Sequence, residues 1–336
     1  MNMKNLTANC LLALVSVALS VLLLEQSYRV YLFGGAAFSM EKMNSIHPFG
    51  DSGLLRPASN PAIVYELKPD VNSYFKLAKL KTNSNGLRDK EYALSKSGEV
   101  FRAAVIGDSF TMPAGVEIDE AYHSLLEERL NREQRESTYE FINFGVGGYD
   151  LRQYLAVMRF KAREYDPDLI IVGFCPENDH KISLDKIFQQ QYKVRPATYP
   201  FFNSFVLASL EKLLGTGDNR DRRYAESSDG DEERYMNRLF SEMSALSEEN
   251  NIPIVIVYLD TVYNATLSRK IESLVVDNGL HYLNASTPFA GVDSTEYAIY
   301  PIDNHPNGKA NRIFSEQLYG YLNKENLLER TATRSD

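Results

Sequence analysis

Positive charge is scarce in this chain: 36 lysines and arginines face 45 aspartates and glutamates, a formal net charge of -9 at pH 7. Nucleic-acid binders usually carry a basic patch or stripe, so no nucleic-acid partner is expected. Cysteine is scarcer still. Cys10 lies in an apolar segment and Cys175 beside a candidate site, a pair that makes no disulfide framework. No Cys/His cluster has the spacing of zinc ligands, and neither a metal nor another cofactor is expected. No internal repeat is present. What the chain does have is 336 residues, 44% of them hydrophobic, enough for one large domain with a sizeable core plus an appendage.

The appendage is at the amino terminus. From Asn5 to Leu24 there are 20 residues without a charge, bracketed by Lys4 and Glu25. That is about the length of a helix that crosses a bilayer. A cleaved signal peptide is the competing reading. No small-x-small site follows Leu24 directly, and Gly35-Ala36-Ala37 is far from the apolar run, so residues 5–24 are read as an uncleaved single-pass anchor. Lys4 and the terminal amine favour a cytoplasmic amino end with the body outside, although Arg29 and Lys42 on the far side blunt the asymmetry. Residues 36–100 read as a membrane-proximal segment without a core of its own. It is rich in turn signals such as His47-Pro48-Phe49-Gly50 and Lys68-Pro69-Asp70, and no chemistry is assigned to it.

From Phe101 onward, short apolar runs alternate with helical patterns. Strands are expected over 101–106, 139–143, 169–174, 252–259 and 281–283. Helices are expected from about Glu120 with Asp119 as cap, over 150–165, ending near Asn250, over 267–276 and over 313–322. Alternation of this kind implies an α/β fold: a mostly parallel five-stranded sheet covered on both sides, with ligands at its carboxyl edge. The domain is bounded at 101–325. An insertion at about 183–234 is aromatic in its first half and a charge run in its second, and it reads as a lid or as a solvated loop. Residues 326–336 read as a disordered tail.

Four stretches fall at the expected carboxyl edge. Gly107-Asp108-Ser109 ends the first strand on a glycine hinge that leaves a hydroxyl unshielded. Asn143-Phe144-Gly145-Val146-Gly147-Gly148 follows the second strand and can turn backbone N–H groups toward a ligand. Cys175-Pro176-Glu177-Asn178-Asp179 follows the third and brings a side-chain amide. Asp303-Asn304-His305-Pro306-Asn307 precedes the last helix and brings a base with a carboxylate two residues earlier. One such stretch is as well explained by helix capping or turn formation. Four in order, each at an element edge, are much harder to explain that way.

On these residues the chain resembles the SGNH, or GDSL, hydrolases over roughly Phe101 to Leu322. The resemblance implies a three-layer, flavodoxin-like fold and acyl transfer through a covalent intermediate. Ser109 would be the nucleophile, His305 the general base and acid, and Asp303 the residue that fixes the imidazole. The Ser109 and Gly148 N–H groups and the Asn178 amide would form the oxyanion hole. Asp108 would shape the turn. Two departures stand out: one residue between Asp303 and His305 instead of the commoner two, and Glu177 before Asn178 in place of a glycine-rich approach.

The expected enzyme is an esterase or O-acetyltransferase on the outer face of the cell inner membrane. Its substrate would be an acyl ester, with a polysaccharide as the implied carrier and an acyl-donor partner protein if it transfers. The alternatives are a non-catalytic glycan-binding or assembly protein on the same fold, and a soluble lipase or thioesterase. Among the remaining residues, Tyr149 and Tyr263 have ring faces suited to a sugar. His123 and His281 read as core or surface histidines, and His180 stands next to the third block.

Overall fold

The computed structural model describes residues 3–96, 98–133, 137–179, 202–214 and 229–329. The first described element is α1 (Met3–Phe33), longer than the expected span by about three turns, followed by a short α2 (Met40–Met43). Two antiparallel hairpins follow: β1 (Leu55–Pro57) with β2 (Tyr65–Leu67), and β3 (Asn72–Phe75) with β4 (Ala78–Lys81). The segment 36–100 has no separate core. Its Leu54, Leu55, Ile63, Tyr65, Leu67, Phe75, Leu80 and Leu87 join one buried cluster with the helices and strands of the main domain.

That domain is built on β5 (Val100–Gly107), α3 (Tyr122–Arg132), β6 (Thr138–Asn143), α4 (Leu151–Phe160), β7 (Leu169–Phe174), α5 (Phe205–Leu213), α6 (Asp229–Asn250), β8 (Ile254–Tyr258), α7 (Ala265–Asp277), β9 (His281–Asn284), a hairpin of β10 (Ala298–Tyr300) and β11 (Asp303–Pro306), and α8 (Gly308–Lys324). Strands β5 to β9 form a five-stranded sheet in the order β6-β5-β7-β8-β9, every pair parallel. That is the flavodoxin-like order, the α/β fold the resemblance implies. β5, β7 and β8 are buried along their whole lengths, because alternate residues face opposite layers. Ala104, Ile106, Ile170, Val172, Ile254 and Ile256 meet α4, α6 and α7, whereas Ala103, Val105, Leu169, Ile171, Val255 and Val257 meet α3 and α8.

Several expectations are corrected. Asp119 does not cap α3, whose N-cap is Ala121 without a side-chain bond. The helix expected over 150–165 breaks at Lys161 and continues as a 3-10 turn over Ala162–Tyr165. Its start is a full capping box, in which Asp150 accepts the Gln153 N–H and Gln153 answers to the Asp150 backbone. Much of the insertion at 183–234 lies outside the described residues. Of its charged half, the part from Asp229 is helix α6 and not loop. The tail boundary also moves: Leu327 and Leu328 pack against the α3–α8 layer, so the domain reaches Leu328 instead of stopping at 325.

Candidate active site

The sheet order creates a switch point between β5 and β7, and both strands end there in candidate stretches. After β5 the chain turns tightly: Met112 N–H donates to the Asp108 carbonyl at 2.8 Å and Ala114 N–H to the Ser109 carbonyl at 2.8 Å. This turn sits close against β7. A Cβ on Gly173 would lie 2.3 Å from Thr111 Oγ1, which is why glycine stands in the middle of an otherwise bulky strand. The turn is also clamped from outside. Arg88, 1% exposed, donates to the carbonyls of Lys79, Met112, Pro113 and Val116 at 2.6–2.7 Å. Four carbonyl partners replace the water a buried guanidinium loses.

His305 reaches Ser109 from the other side. It lies on β11, paired with β10 outside the main sheet, and Asn307 ends the strand by capping α8 through the Lys309 and Ala310 N–H groups. On an extended strand residues i and i+2 point the same way, so the single intervening residue brings Asp303 beside the ring. Asp303 Oδ1 is 2.5 Å from His305 Nδ1 and accepts the His305 backbone N–H at 3.1 Å, and His305 Nε2 is 2.8 Å from Ser109 Oγ. Burial would raise the Asp303 carboxyl, but bonding to His305 and the charge of Lys76 outweigh it and hold it below the usual carboxylate range.

Gly148 and Asn178 border the same space. Gly148 has φ +76, a left-handed conformation that a side chain would oppose. Among the described residues no acceptor is paired with the Ser109 or the Gly148 N–H. The Asn178 amide donates to Asp108 Oδ2 at 2.9 Å. Asp108 is fully buried and also accepts the Phe110 N–H at 2.9 Å. Burial pushes its carboxyl up, the hydrogen bonds offsetting only part of that. Asp179 is raised too, by burial first and then by Asp108 nearby, while it accepts the Cys175 N–H at 2.7 Å and the Tyr154 hydroxyl at 3.1 Å. These two carboxyls shape the loop ends and do not face the cavity.

The cavity over Ser109 measures about 500 Å³ and is walled by Phe49, Phe75 and Phe110 together with Asp51, Lys76 and Glu177. All five residues singled out for catalysis or the oxyanion hole meet at it except Asp303, which stands behind His305. Tyr149 is not a sugar platform: it is buried, its hydroxyl donating to the Tyr65 carbonyl at 2.5 Å. His123 is buried against the Thr111 carbonyl, and His180 lies outside the described residues.

Three contributors carry no sequence signal: Lys76 and Phe49, from the segment 36–100 to which no chemistry is assigned, and Tyr300. The Lys76 ammonium pairs with Asp303 Oδ2 and stands 3.1 Å from His305 Nδ1. The Tyr300 hydroxyl donates to the same carboxylate at 3.3 Å. Phe49 forms a cavity wall and would meet any Cβ placed on Gly147. No motif marks them: Lys76 and Tyr300 reach the site through hairpins, and Phe49 through a 3-10 turn, that only the fold reveals.

No protein-family model and no curated protein matches the chain. Solved structures with similar backbones include TesA (15% identical, 68% of this chain and 99% of that one, TM-score 0.43). A psychrotrophic esterase, EstA, from a Pseudoalteromonas species is 15% identical over 67% of this chain and 98% of its own, with TM-score 0.42. A GDSL-like lipase from Bacteroides thetaiotaomicron is 14% identical over 70% and 93%, with TM-score 0.40. The fold stands on the sheet order itself.

Proposed function

We propose that the chain is a membrane-anchored serine esterase or acyltransferase of the SGNH type. The observation that carries this reading is the chain of contacts from Ser109 Oγ to His305 Nε2 and from His305 Nδ1 to Asp303, at the floor of a cavity that two N–H groups border. Ser109 attacks the ester carbonyl while His305 takes the hydroxyl proton. The oxyanion that forms is met by the Ser109 and Gly148 N–H groups and by the Asn178 amide. The intermediate collapses with His305 returning its proton to the leaving alcohol. Water then releases the acid, or a sugar hydroxyl takes the acyl group. Aromatic rings and acidic groups together on the cavity wall suit a glycan carrying small esters such as acetate.

The anchor belongs to the same reading. α1 is 31 residues, about 46 Å as a helix, and side chains from Leu6 to Leu24 are exposed. Its last turns are part of the domain. Glu25 caps α5 through the Phe205 and Val206 N–H groups, Arg29 donates to the Asn203 carbonyl, and Leu32 and Phe33 are buried with Tyr300. Contacts of this kind favour a retained helix over a removed signal peptide. The side rests on Lys4 ahead of the apolar run, which favours a body on the outer face of the inner membrane.

The test uses the full chain in detergent. A serine-directed fluorophosphonate is expected to label Ser109, and a chromogenic acetyl ester is expected to lose acetate at a rate that vanishes in Ser109→Ala. Acetate appearing on an added oligosaccharide would make the enzyme a transferase. Absence of both labelling and turnover, with glycan binding unchanged in Ser109→Ala, would replace this reading by a binding protein.

A further inference from the structure

The two central residues of the β3–β4 hairpin are Lys76 and Leu77, between the paired Phe75 and Ala78. Both have positive φ, 48 for Lys76 and 72 for Leu77. A two-residue loop with this backbone is normally made by Asn-Gly, because left-handed conformations oppose a branched Cβ neighbourhood. Neither residue here is suited to it. Such a conformation persists only where its surroundings enforce it, and they do: Lys76 N–H donates to the Ser45 carbonyl at 2.9 Å, and Leu77 N–H to Ser45 Oγ at 2.9 Å. The result is that the Lys76 ammonium is delivered to Asp303 and to the edge of the His305 ring.

We propose that Lys76 is a positioning residue that shares the Asp303 carboxylate with His305 and so limits how strongly the imidazolium is held. This inference rests on the esterase reading of Ser109. When His305 Nδ1–H donates to Asp303 Oδ1, the ammonium 3.1 Å from Nδ1 cannot donate to that nitrogen as well. It holds Oδ2 instead. One carboxylate charge is then divided between a permanent cation and the imidazolium that forms as Ser109 gives up its proton. The imidazolium is therefore held less tightly by Asp303 as it returns its proton to the leaving alcohol. Other groups surround this assembly: the Tyr300 hydroxyl from β10, His47 from the turn before β1, Asp108 buried behind the end of β5, and Glu177 and Asp51 from the cavity wall. All remain when Lys76 is replaced, and repeating the comparison on a His47→Gln chain separates the effect on His305 from that on His47, whose imidazole also feels the ammonium.

The experiment compares kcat/KM against pH for the full chain in detergent with Lys76→Asn and Lys76→Arg. Asparagine suits the first position of this turn and removes the ammonium, so the variant is expected to melt at or above the parent's temperature. Its acid limb should move to higher pH by about one unit or more, as expected when a cation within about 4–6 Å of a titrating base is lost. Lys76→Arg, which restores a cation, should bring the limb back toward the parent. An unmoved acid limb in a folded Lys76→Asn, still labelled at Ser109 by fluorophosphonate, would overturn the role of Lys76 and leave the esterase standing. A parent chain that takes no label would overturn both.

Discussion

Asn178 sits where two requirements meet: it borders the cavity beside Ser109, and its amide satisfies the buried Asp108 carboxylate. Asn178→Ala is expected to lower kcat on an acetyl ester by about 100- to 1000-fold with little change in KM, as for a lost oxyanion donor. Steady-state kinetics check this, with a melt to show that the fold survives. A variant that keeps full kcat would remove Asn178 from the oxyanion hole. Asp89 acts on stability instead. Its carboxylate accepts the Asn143 N–H at 2.9 Å and the Lys90 N–H at 2.8 Å, tying the end of β6 to the hairpin segment. Burial pushes this carboxyl up to about 7, the N–H groups offsetting only part. The folded chain thus keeps a proton that the unfolded chain releases near pH 4. The sign follows: stability is greatest below about pH 4 and falls as pH rises toward 7, by on the order of 1 kcal/mol per unit. Asp303, whose carboxyl is depressed, has the opposite dependence and loses its contribution only as pH falls below the ordinary carboxylate range. Melting temperatures should therefore be higher at pH 5 than at pH 7.5, and the gap should shrink in Asp89→Asn; an unchanged gap would exonerate Asp89.

At the level of elements, the sheet was legible because β5, β7 and β8 are buried on both faces and so read as apolar runs with sharp ends, broken only by Arg102 near the start of β5. The four site stretches were legible for a related reason: three follow the ends of β5, β6 and β7, and the fourth runs directly into the cap of α8. What could not be read has tertiary causes. The β10–β11 hairpin has no strand-like run, and its pairing of Tyr300 with Asp303 decides where the carboxylate goes. The Lys76-Leu77 turn carries none of the residues that announce such a turn. Helix α5 is a third case. Phe205 and Ser209 face α1, whereas Leu207, Leu210 and Leu214 point away from it and are exposed by 46–72%. This apolar face continues the exposed surface of α1, so it is expected to rest in the lipid interface. The chain has no tryptophan, so a single introduced indole reports without background. Leu207→Trp in phospholipid nanodiscs should emit to the blue and be quenched by brominated lipid. Leu94→Trp, at an exposed position against the start of β5, should do neither. Red, unquenched emission from Leu207→Trp would mean that α5 faces water.

For the whole molecule, the end of α1 is packed against the residues that support Asp303. Leu32 and Phe33 at the end of α1 pack with Met43 and Phe205 around Tyr300, whose ring meets Phe33 at 5.2 Å and whose hydroxyl donates to Asp303. Ser45, just after α2, holds the turn that carries Lys76. Asp303 and Lys76, beside His305, are thus supported by the end of α1 and the residues just after it, although the sequence places them far apart. A shortened chain that begins at Glu25 keeps the α5 cap, Arg29 and this small core. One that begins at Ala36 loses all three. Each buried apolar side chain removed at 32 and 33 costs about 2 kcal/mol. The chain from Ala36 is therefore expected to melt about 8–16 °C below the chain from Glu25, at roughly 2–4 °C for each kcal/mol. Its kcat should fall as well, because Tyr300 loses the ring that holds it and Asp303 loses a fixed partner. Fluorophosphonate labelling of Ser109 provides the matching readout: rapid in the chain from Glu25, slowed in the chain from Ala36. Equal melting temperature and equal labelling would show that α1 only tethers the domain; a deficit confined to the shorter chain would show that it also holds the catalytic carboxylate in place.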